Sequence, residues 1–409
     1  MTASSIDARR VIADLREMDR RTGGPDGARR ICWGPDWAEA RHFLGELLAE
    51  LDLAPEVDEA GNLWTYLEGE QEPALAVGSH LDSVPQGGWL DGALGVMAAL
   101  GVLRSWAESG ERPPRTLALV DWADEEGARF GRSLFGSSAV SGTLSPDEIS
   151  GLQDADGRGI EEVLAESGVE LEQAPLAASR LDRLGALLEL HIEQGPVLES
   201  EGIPISAVSG TVGIERWRFR FEGSASHAGT TPMDARRDAG LAAAELALEA
   251  ERIAREHDGV ATTGSLDLRP GVPTVIPGEA DLLVDLRNAD TKALGEMLEG
   301  VEAASKRAAE ARDCTCTAEL VWHIEPVEFD QGLVDMARDA CREVAGSDRV
   351  LVSGALHDAA EIGRKLPAAM VFCRSLGGVS HSPEEDSSDH DLELAIRAYA
   401  DLAERAMTA

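Results

Sequence analysis

Two stretches of this 409-residue chain place side chains able to bind cations beside glycines. In GSHLDSVPQGGWLDGALGV, residues 78–96, His80 and Asp82 stand two apart at the end of an apolar run. At a strand end that spacing sends both side chains to one side. A metal-bound imidazole donates its second ring N–H to a carboxylate, so Asp82 is a candidate partner for His80. Asp91 follows in a glycine-rich turn, where a carboxylate could bridge two cations. In DWADEEGARFGRSLFGSSAVSG, residues 121–142, Glu125 and Glu126 are neighbours and cannot point the same way. One can bind a metal while the other faces the substrate as a base. Two unpaired carboxylates are costly to bury, so burial here would demand cations.

Two further motifs add histidines. ELHIEQGPVLE (189–199) ends an apolar run at His191, with Glu193 and Gln194 close behind, and FCRSLGGVSHSPEED (372–386) places His381 after a glycine turn. Taken singly, each motif is more often a solvated loop or a structural histidine than a metal site. Taken together, His80, Asp91, Glu126, His191 and His381 offer nitrogen and oxygen donors, without thiolates, from four strand ends. Such a set suits a pair of borderline or hard divalent ions, and it accepts zinc, manganese, cobalt or nickel. Two ions about 3.5–4 Å apart clamp a shared water and polarise a carbonyl oxygen.

The elements that must position these residues are legible as an α/β pattern. Residues 73–80, 115–126, 186–195 and 367–375 each read as a short buried strand running into polar residues, and helical stretches alternate with them. Ligands of open α/β sheets bind outside the carboxyl ends of strands, so four polar clusters in equivalent places predict one shared site. The middle of the chain differs. A one-face-wet strand at 214–223, an amphipathic helix at 238–259, a strand at 280–288, a helix at 291–312 and a strand at 314–327 read as a β-α-β-α-β block. That block predicts a small two-layer domain inserted at 207–322.

Bulk composition sets the outer bounds. The length predicts two domains, and 43% hydrophobic with 27% charged residues is ordinary for a globular chain. The formal net charge of -38 repels nucleic acid and anionic membrane, and excludes both as partners. No apolar run approaches the roughly 20 residues that span a bilayer. The N-terminus has helical apolar spacing at Ile6, Val11, Ile12 and Leu15 and no apolar signal core, which predicts the first helix of a cytoplasmic protein. The five cysteines (Cys32, Cys314, Cys316, Cys341 and Cys373) form no CxxC pair. They fit a reducing compartment, with Cys314 and Cys316 on one side of one strand. The cations include only three lysines, Lys292, Lys306 and Lys365. That balance fits a salt-rich habitat or simply an acidic cytosolic enzyme.

In this order the motifs resemble the amidase, hydantoinase and carbamoylase branch of the dinuclear metallopeptidase superfamily that also holds aminoacylases and carboxypeptidases. Members include N-carbamoyl-L-amino acid hydrolases, allantoate amidohydrolases and β-ureidopropionases. The resemblance runs from the first helix to HSPEED, and DEEGARFGRSLFGS and HIEQGPVLE are its most specific phrases. It implies a mixed-sheet, three-layer α/β catalytic domain, residues 1–206 and 323–409, with an inserted two-layer α+β domain, 207–322, serving as lid and homodimer surface. It implies His80 and Glu126 on opposite metals, Asp91 bridging, and His191 and His381 completing the shells. Glu125 becomes the general base, with Asp82 assisting. In SASHAGTTPMDARRDA (224–239), His227 is implied to stabilise the developing oxyanion, from the partner subunit in some relatives. Arg287 in VDLRN is implied to clamp a substrate carboxylate bidentately, and Gln194 to line the same pocket.

Two positions depart from the pattern, and both bear on substrate recognition. Thr274 of TVIPG replaces a substrate-binding asparagine, and VGIERW (212–217) lacks a usual glutamine. His357 of SGALHDAAEIG either supports a ligand or is structural, while His42, His257, His323 and His390 have no partner spacing and receive no role. The leading expectation is hydrolysis of an N-carbamoyl-L-amino acid to the amino acid, carbon dioxide and ammonia, with two divalent ions per subunit (Zn²⁺ or Mn²⁺, with Co²⁺ and Ni²⁺ also fitting). An allantoate- or ureidoglycolate-type ureide hydrolase is the rival within the class. An N-acyl amino acid deacylase or peptidase conflicts with His191, where the wider superfamily offers a carboxylate. A catalytically dead binding protein conflicts with a complete set of ligands and base.

Overall fold

The four apolar segments become neighbouring strands of one mixed sheet. In the computed structural model, which describes residues 6–409, they are Ala74–His80, Leu117–Trp122, Leu184–Ile192 and Ala368–Cys373. The part of the N-terminal reading that falls on residues 1–5 lies outside the described residues. Three pairings among these four strands are all parallel, in the order Ala368–Cys373, Leu184–Ile192, Ala74–His80, Leu117–Trp122. Antiparallel strands flank them, Ile205–Thr211 on one side and Leu63–Leu67 on the other. Strands Ala74–His80, Leu117–Trp122 and Ala368–Cys373 are buried at every residue, so both faces of the sheet are covered. That explains their nearly continuous apolar runs, interrupted by Asp121 and by Ser79 and His80 near the strand ends, which are typical of parallel strands under helices.

Helix Ala93–Ser109 is buried almost throughout and packs on Ala74–His80 and against helix Ala8–Thr22. The C-terminal helix Asp389–Thr408, N-capped by Ser388 through the N–H of Asp391, packs on Ala368–Cys373. The four parallel strands run the same way, so their carboxyl ends share one edge of the sheet. No helix among the described residues is long and apolar enough to cross a membrane.

The chain divides into two compact units, one of residues 1–210 with 328–409 and one of residues 211–327. The second unit is a four-stranded antiparallel sheet, ordered Val260–Arg269, Glu279–Asn288, Gly213–Glu222, Thr315–Ile324. Helices Ala239–Glu256 and Thr291–Ala311 bury one face, where Phe219, Phe221, Leu282, Val284, Leu246 and Met297 form the core. Cys314 and Cys316 both pack against that core, and all five cysteines are free. Strand Val260–Arg269 is absent from the sequence reading, which had β-α-β-α-β; the unit is β-α-β-β-α-β in its main elements. The strand lies at the sheet edge and is exposed at nearly every position, so it carries no apolar alternation from which to read it.

Candidate metal centre

The sheet order brings the candidate ligands together. His80 is the last residue of its strand and His191 the penultimate residue of the next parallel strand. The loop after His80 adds Asp91, the loop after Leu117–Trp122 adds Glu125 and Glu126, and the loop after Ala368–Cys373 adds His381. Gly92 lets the Asp91 turn close, since its φ is +62° and a Cβ there would lie 2.4 Å from the His80 ring.

Asp91 is the hub. Its Oδ1 lies 3.2 Å from Nε2 of His191 and 3.6 Å from Nε2 of His80, while its Oδ2 lies 3.3 Å from Nε2 of His381. Nε2 of His381 is also 3.5 Å from Oε2 of Glu126. Two overlapping donor groups result, His80–Asp91–His191 and Asp91–Glu126–His381. Two donors bound to one tetrahedral ion at about 2.1 Å are about 3.4 Å apart, so the spacings suit shared cations. The ring nitrogens agree. Nδ1 of His80 is 3.1 Å from the carbonyl of Asp82, and Nδ1 of His191 is 2.9 Å from the carbonyl of Ile192. A carbonyl accepts only from N–H, so the proton sits on Nδ1 and each Nε2 is left as a donor atom for a metal. Glu126 Oε1 and Gln194 Oε1 are buried with no hydrogen-bond partner.

Without a cation, the acids compensate poorly for one another. Burial and then Asp91 push Glu126 up to about 7, and burial and then Asp82 push Asp124 up to about 8. Burial also drives Glu125 well above the usual carboxylate range, against the pull of His80. Asp91 is held well below that range: burial opposes ionisation, but His191 and His381 outweigh it. Burial likewise opposes charge on His80, yet Glu125, Asp82 and Asp91 together raise it well above an ordinary imidazole. Divalent ions would replace the shared protons that hold this cluster together.

Asp82 ties two loops. Its Oδ1 accepts the N–H of Glu125 at 3.2 Å and its Oδ2 that of Glu126 at 3.1 Å, while its Oδ1 is 3.5 Å from Nδ1 of His80. The two glutamates diverge. Glu125 Oε2 lies 3.8 Å from Nε2 of His80, and Glu126 faces His381. Gln194 donates Nε2–H to Asp91 Oδ2 at 2.8 Å. Gln194, His381 and Asp124 all hold left-handed backbone, with φ of +58°, +54° and +56°. Non-glycine residues rarely adopt it, and such strain collects at functional sites.

His357 stacks edge-on against His191, with ring centroids 4.5 Å apart, and its Nε2 is 2.9 Å from Ser353 Oγ. Burial and then His191 hold it well below the ordinary imidazole range, so it is neutral. It belongs with Glu189, whose oxygens accept Ser79 Oγ at 2.7 Å and the N–H of Ala359 at 2.9 Å. Glu189, His191 and His357 lie close enough to form a third donor group, but these two donors already occupy both oxygens of Glu189.

The residues expected to bind substrate divide between the two units. Gln194 is in the metal cluster. In the 211–327 unit, strands Ser226–His227 and Val275–Ile276 pair so that His227 faces Val275, and the N–H of Ala228 donates to the carbonyl of Thr274 at 2.9 Å. His227 and Thr274 therefore share one small ribbon. His227 Nδ1 accepts the N–H groups of Gly229 and Thr230, which leaves Nε2 outward on an exposed side chain. Arg287 stands near the end of its strand, with Nε donating to Asp285 Oδ1 at 2.8 Å. Asp285 also takes both Nε and Nη2 of Arg216.

Sequence reasoning missed several members. Arg30 is fully buried and donates Nε to the carbonyl of Leu81 at 2.7 Å, beside the His80 loop. Asp358 is buried with neither oxygen hydrogen-bonded, and Glu385 and Ser380 contact Asp91. Glu385 lies inside the HSPEED phrase and Asp358 inside SGALHDAAEIG beside His357, the signals that could have flagged them; Arg30 had none.

Comparison with known proteins adds to this geometry. Residues 76–405 match the profile of peptidase family M20/M25/M40. The chain is 34% identical over 410 residues to an N-carbamoyl-L-amino-acid amidohydrolase of Paenarthrobacter aurescens, covering 98% of this chain and 100% of the relative. It is 34% identical over 378 residues to the allantoate amidohydrolase of Escherichia coli K12, covering 91% and 92%. A crystal structure of an amidase of the hydantoinase/carbamoylase family from Burkholderia multivorans superposes with a TM-score of 0.88 at 31% identity, covering 98% of both chains.

Proposed function

The chain belongs to peptidase family M20/M25/M40 and is a hydrolase of non-peptide C–N bonds; we propose that it uses two divalent ions and that its substrate is an N-carbamoyl-L-amino acid. The observation that carries the two-ion reading is the division of Asp91, one oxygen toward His80 and His191, the other toward His381 beside Glu126. Bound there, Zn²⁺, Mn²⁺ or a similar ion would supply a more acidic water and a polarised carbonyl.

The protein's own groups do the rest. Glu125 is the base: its carboxylate takes a proton from the attacking water and delivers it to the nitrogen that leaves as the C–N bond breaks. Asp82 positions both glutamates through their backbone N–H groups and steadies the His80 ring. Gln194 orients the substrate beside Asp91. In the 211–327 unit, His227 offers Nε2 to the charge developing on the carbonyl oxygen. Arg287, oriented by Asp285, forks onto the substrate carboxylate. We assign that unit the lid and homodimer roles; a light-scattering mass of one subunit would remove the second.

A ureide such as allantoate is the alternative that a specific observation favours, because the allantoate amidohydrolase is as similar as the carbamoyl relative. Thr274 offers a hydroxyl where the resemblance expects an amide, which bears on this choice. The deciding experiment is ammonia release by metal-stripped protein refilled with Zn²⁺ or Mn²⁺. The panel is N-carbamoyl-L-amino acids, allantoate, ureidoglycolate and N-acetyl amino acids, the last scored as free amine. Metal-dependent turnover of carbamoyl compounds is expected; turnover of a ureide alone selects the alternative, and inactivity on all with metal bound defeats both.

A further inference from the structure

We infer that Glu385 is the positioning residue of this centre, fixing the loop that presents Asp91, the carboxylate that would serve both ions. The inference rests on the two-ion reading above. Glu385 is 1% exposed despite its carboxyl group. Its Oε1 accepts the N–H of Asp91 at 3.0 Å and of Leu90 at 3.2 Å. Its Oε2 accepts the hydroxyl of Ser380 at 2.8 Å, and Ser380 Oγ lies 3.2 Å from Asp91 Oδ2. One side chain thus holds the backbone of Asp91 directly and takes up the hydroxyl of Ser380, whose single proton serves one carboxylate at a time.

The loop before Asp91 is shaped around this carboxyl. A Cβ on Gly88 would lie 2.0 Å from Cδ of Glu385, so only glycine leaves the seat open. The donors that Glu385 satisfies belong to two segments: the loop that carries Asp91, and Ser380, which immediately precedes His381. Glu385 and Asp91 are 294 positions apart, and the contact fastens two ligand loops from opposite ends of the chain. Asp91 can serve both donor groups only while each oxygen keeps its direction, and a carboxylate free to rotate would serve one. Burying an acid is expensive, and the hydrogen bonds it makes here all bear on ligand-carrying loops.

The test compares wild type with Glu385→Ala, Glu385→Gln and Ser380→Ala as full-length proteins. Metal content is measured by mass spectrometry, affinity by chelator competition, and ligand field by the visible spectrum of the Co²⁺ form. Glu385→Ala is expected to fold with an unchanged circular dichroism spectrum, bind metal about 10- to 100-fold more weakly, and shift the Co²⁺ bands. Glu385→Gln keeps an oxygen for both N–H groups and is expected to recover most of the affinity. A folded Glu385→Ala protein with wild-type affinity and Co²⁺ spectrum would overturn the inference, as would a Gln variant no better than Ala. If Glu385→Ala fails to fold, Ser380→Ala decides, with weakened metal binding supporting the role and wild-type binding refuting it. A wild type that never holds two ions would instead refute the two-ion reading itself.

Discussion

Oε2 of Glu125 stands 3.8 Å from Nε2 of His80, on the opposite side of the acid pair from Glu126, which faces His381. The backbone makes this division, because Asp82 holds both glutamate N–H groups and leaves the side chains to diverge. The base proposed above must stand beside the ligands without being consumed as one, and this divergence is what that role requires of Glu125.

Replacing Glu125 with glutamine keeps size and polarity but removes the proton acceptor. Turnover should fall by about 10²- to 10⁴-fold, while metal content and melting temperature stay near wild type. Substantial activity in metal-loaded Glu125→Gln protein would take the base assignment away.

Metal removal should cost more stability at high pH than at low pH. In the metal-free protein Glu126 is raised to about 7 and Asp124 to about 8, both above unfolded-chain values. A raised carboxyl pKa contributes stability that is present below the unfolded value and lost as pH climbs through the folded one. That window runs from the ordinary carboxylate range up to about 8 for Asp124. Melting temperatures with and without chelator should differ more at pH 8 than at pH 6; the reverse order would contradict the burial of uncompensated acids.

Arg287→Ala should raise KM by about 10- to 100-fold, the worth of roughly 1.5–3 kcal/mol of charge-assisted hydrogen bonding. Arg287→Lys should recover only part of this, since an ammonium cannot fork onto a carboxylate. Steady-state kinetics on the best substrate of the panel reads both, and an unchanged KM in the alanine variant excludes the clamp.

The surface makes a separate claim. With a formal net charge of -38, self-repulsion opposes the compact state, and salt shortens its range to about 3 Å at 1 M. Many ion pairs lie at the surface, Arg255–Glu251 and Lys292–Glu296 among them, and losing those to screening costs little. Thermal stability should therefore rise between 0.05 and 1 M KCl; a fall would show that the pairs outweigh the repulsion.

Much of the architecture was legible because burial writes itself into local pattern. Ala368–Cys373 is apolar throughout and Ala74–His80 as far as Gly78 since both faces are covered, and polar residues begin toward the strand ends. Strand Val260–Arg269 escaped because an exposed edge strand imposes no such pattern. The candidate cluster was legible as residue types after strand ends, but not as a partition.

The sequence by itself determined the α/β class, the positions of His80, Asp91, Glu125, Glu126, His191 and His381 beyond apolar runs, and the donor chemistry they offer. Only the tertiary structure decided that His191 shares Asp91 Oδ1 with His80 while His381 takes Oδ2 beside Glu126. It also decided that Glu385 grips Asp91 from 294 positions away. Periodicity and spacing report a residue's neighbours along the chain. Which oxygen meets which ring depends on strand order and loop closure, and those are fixed when the whole sheet assembles.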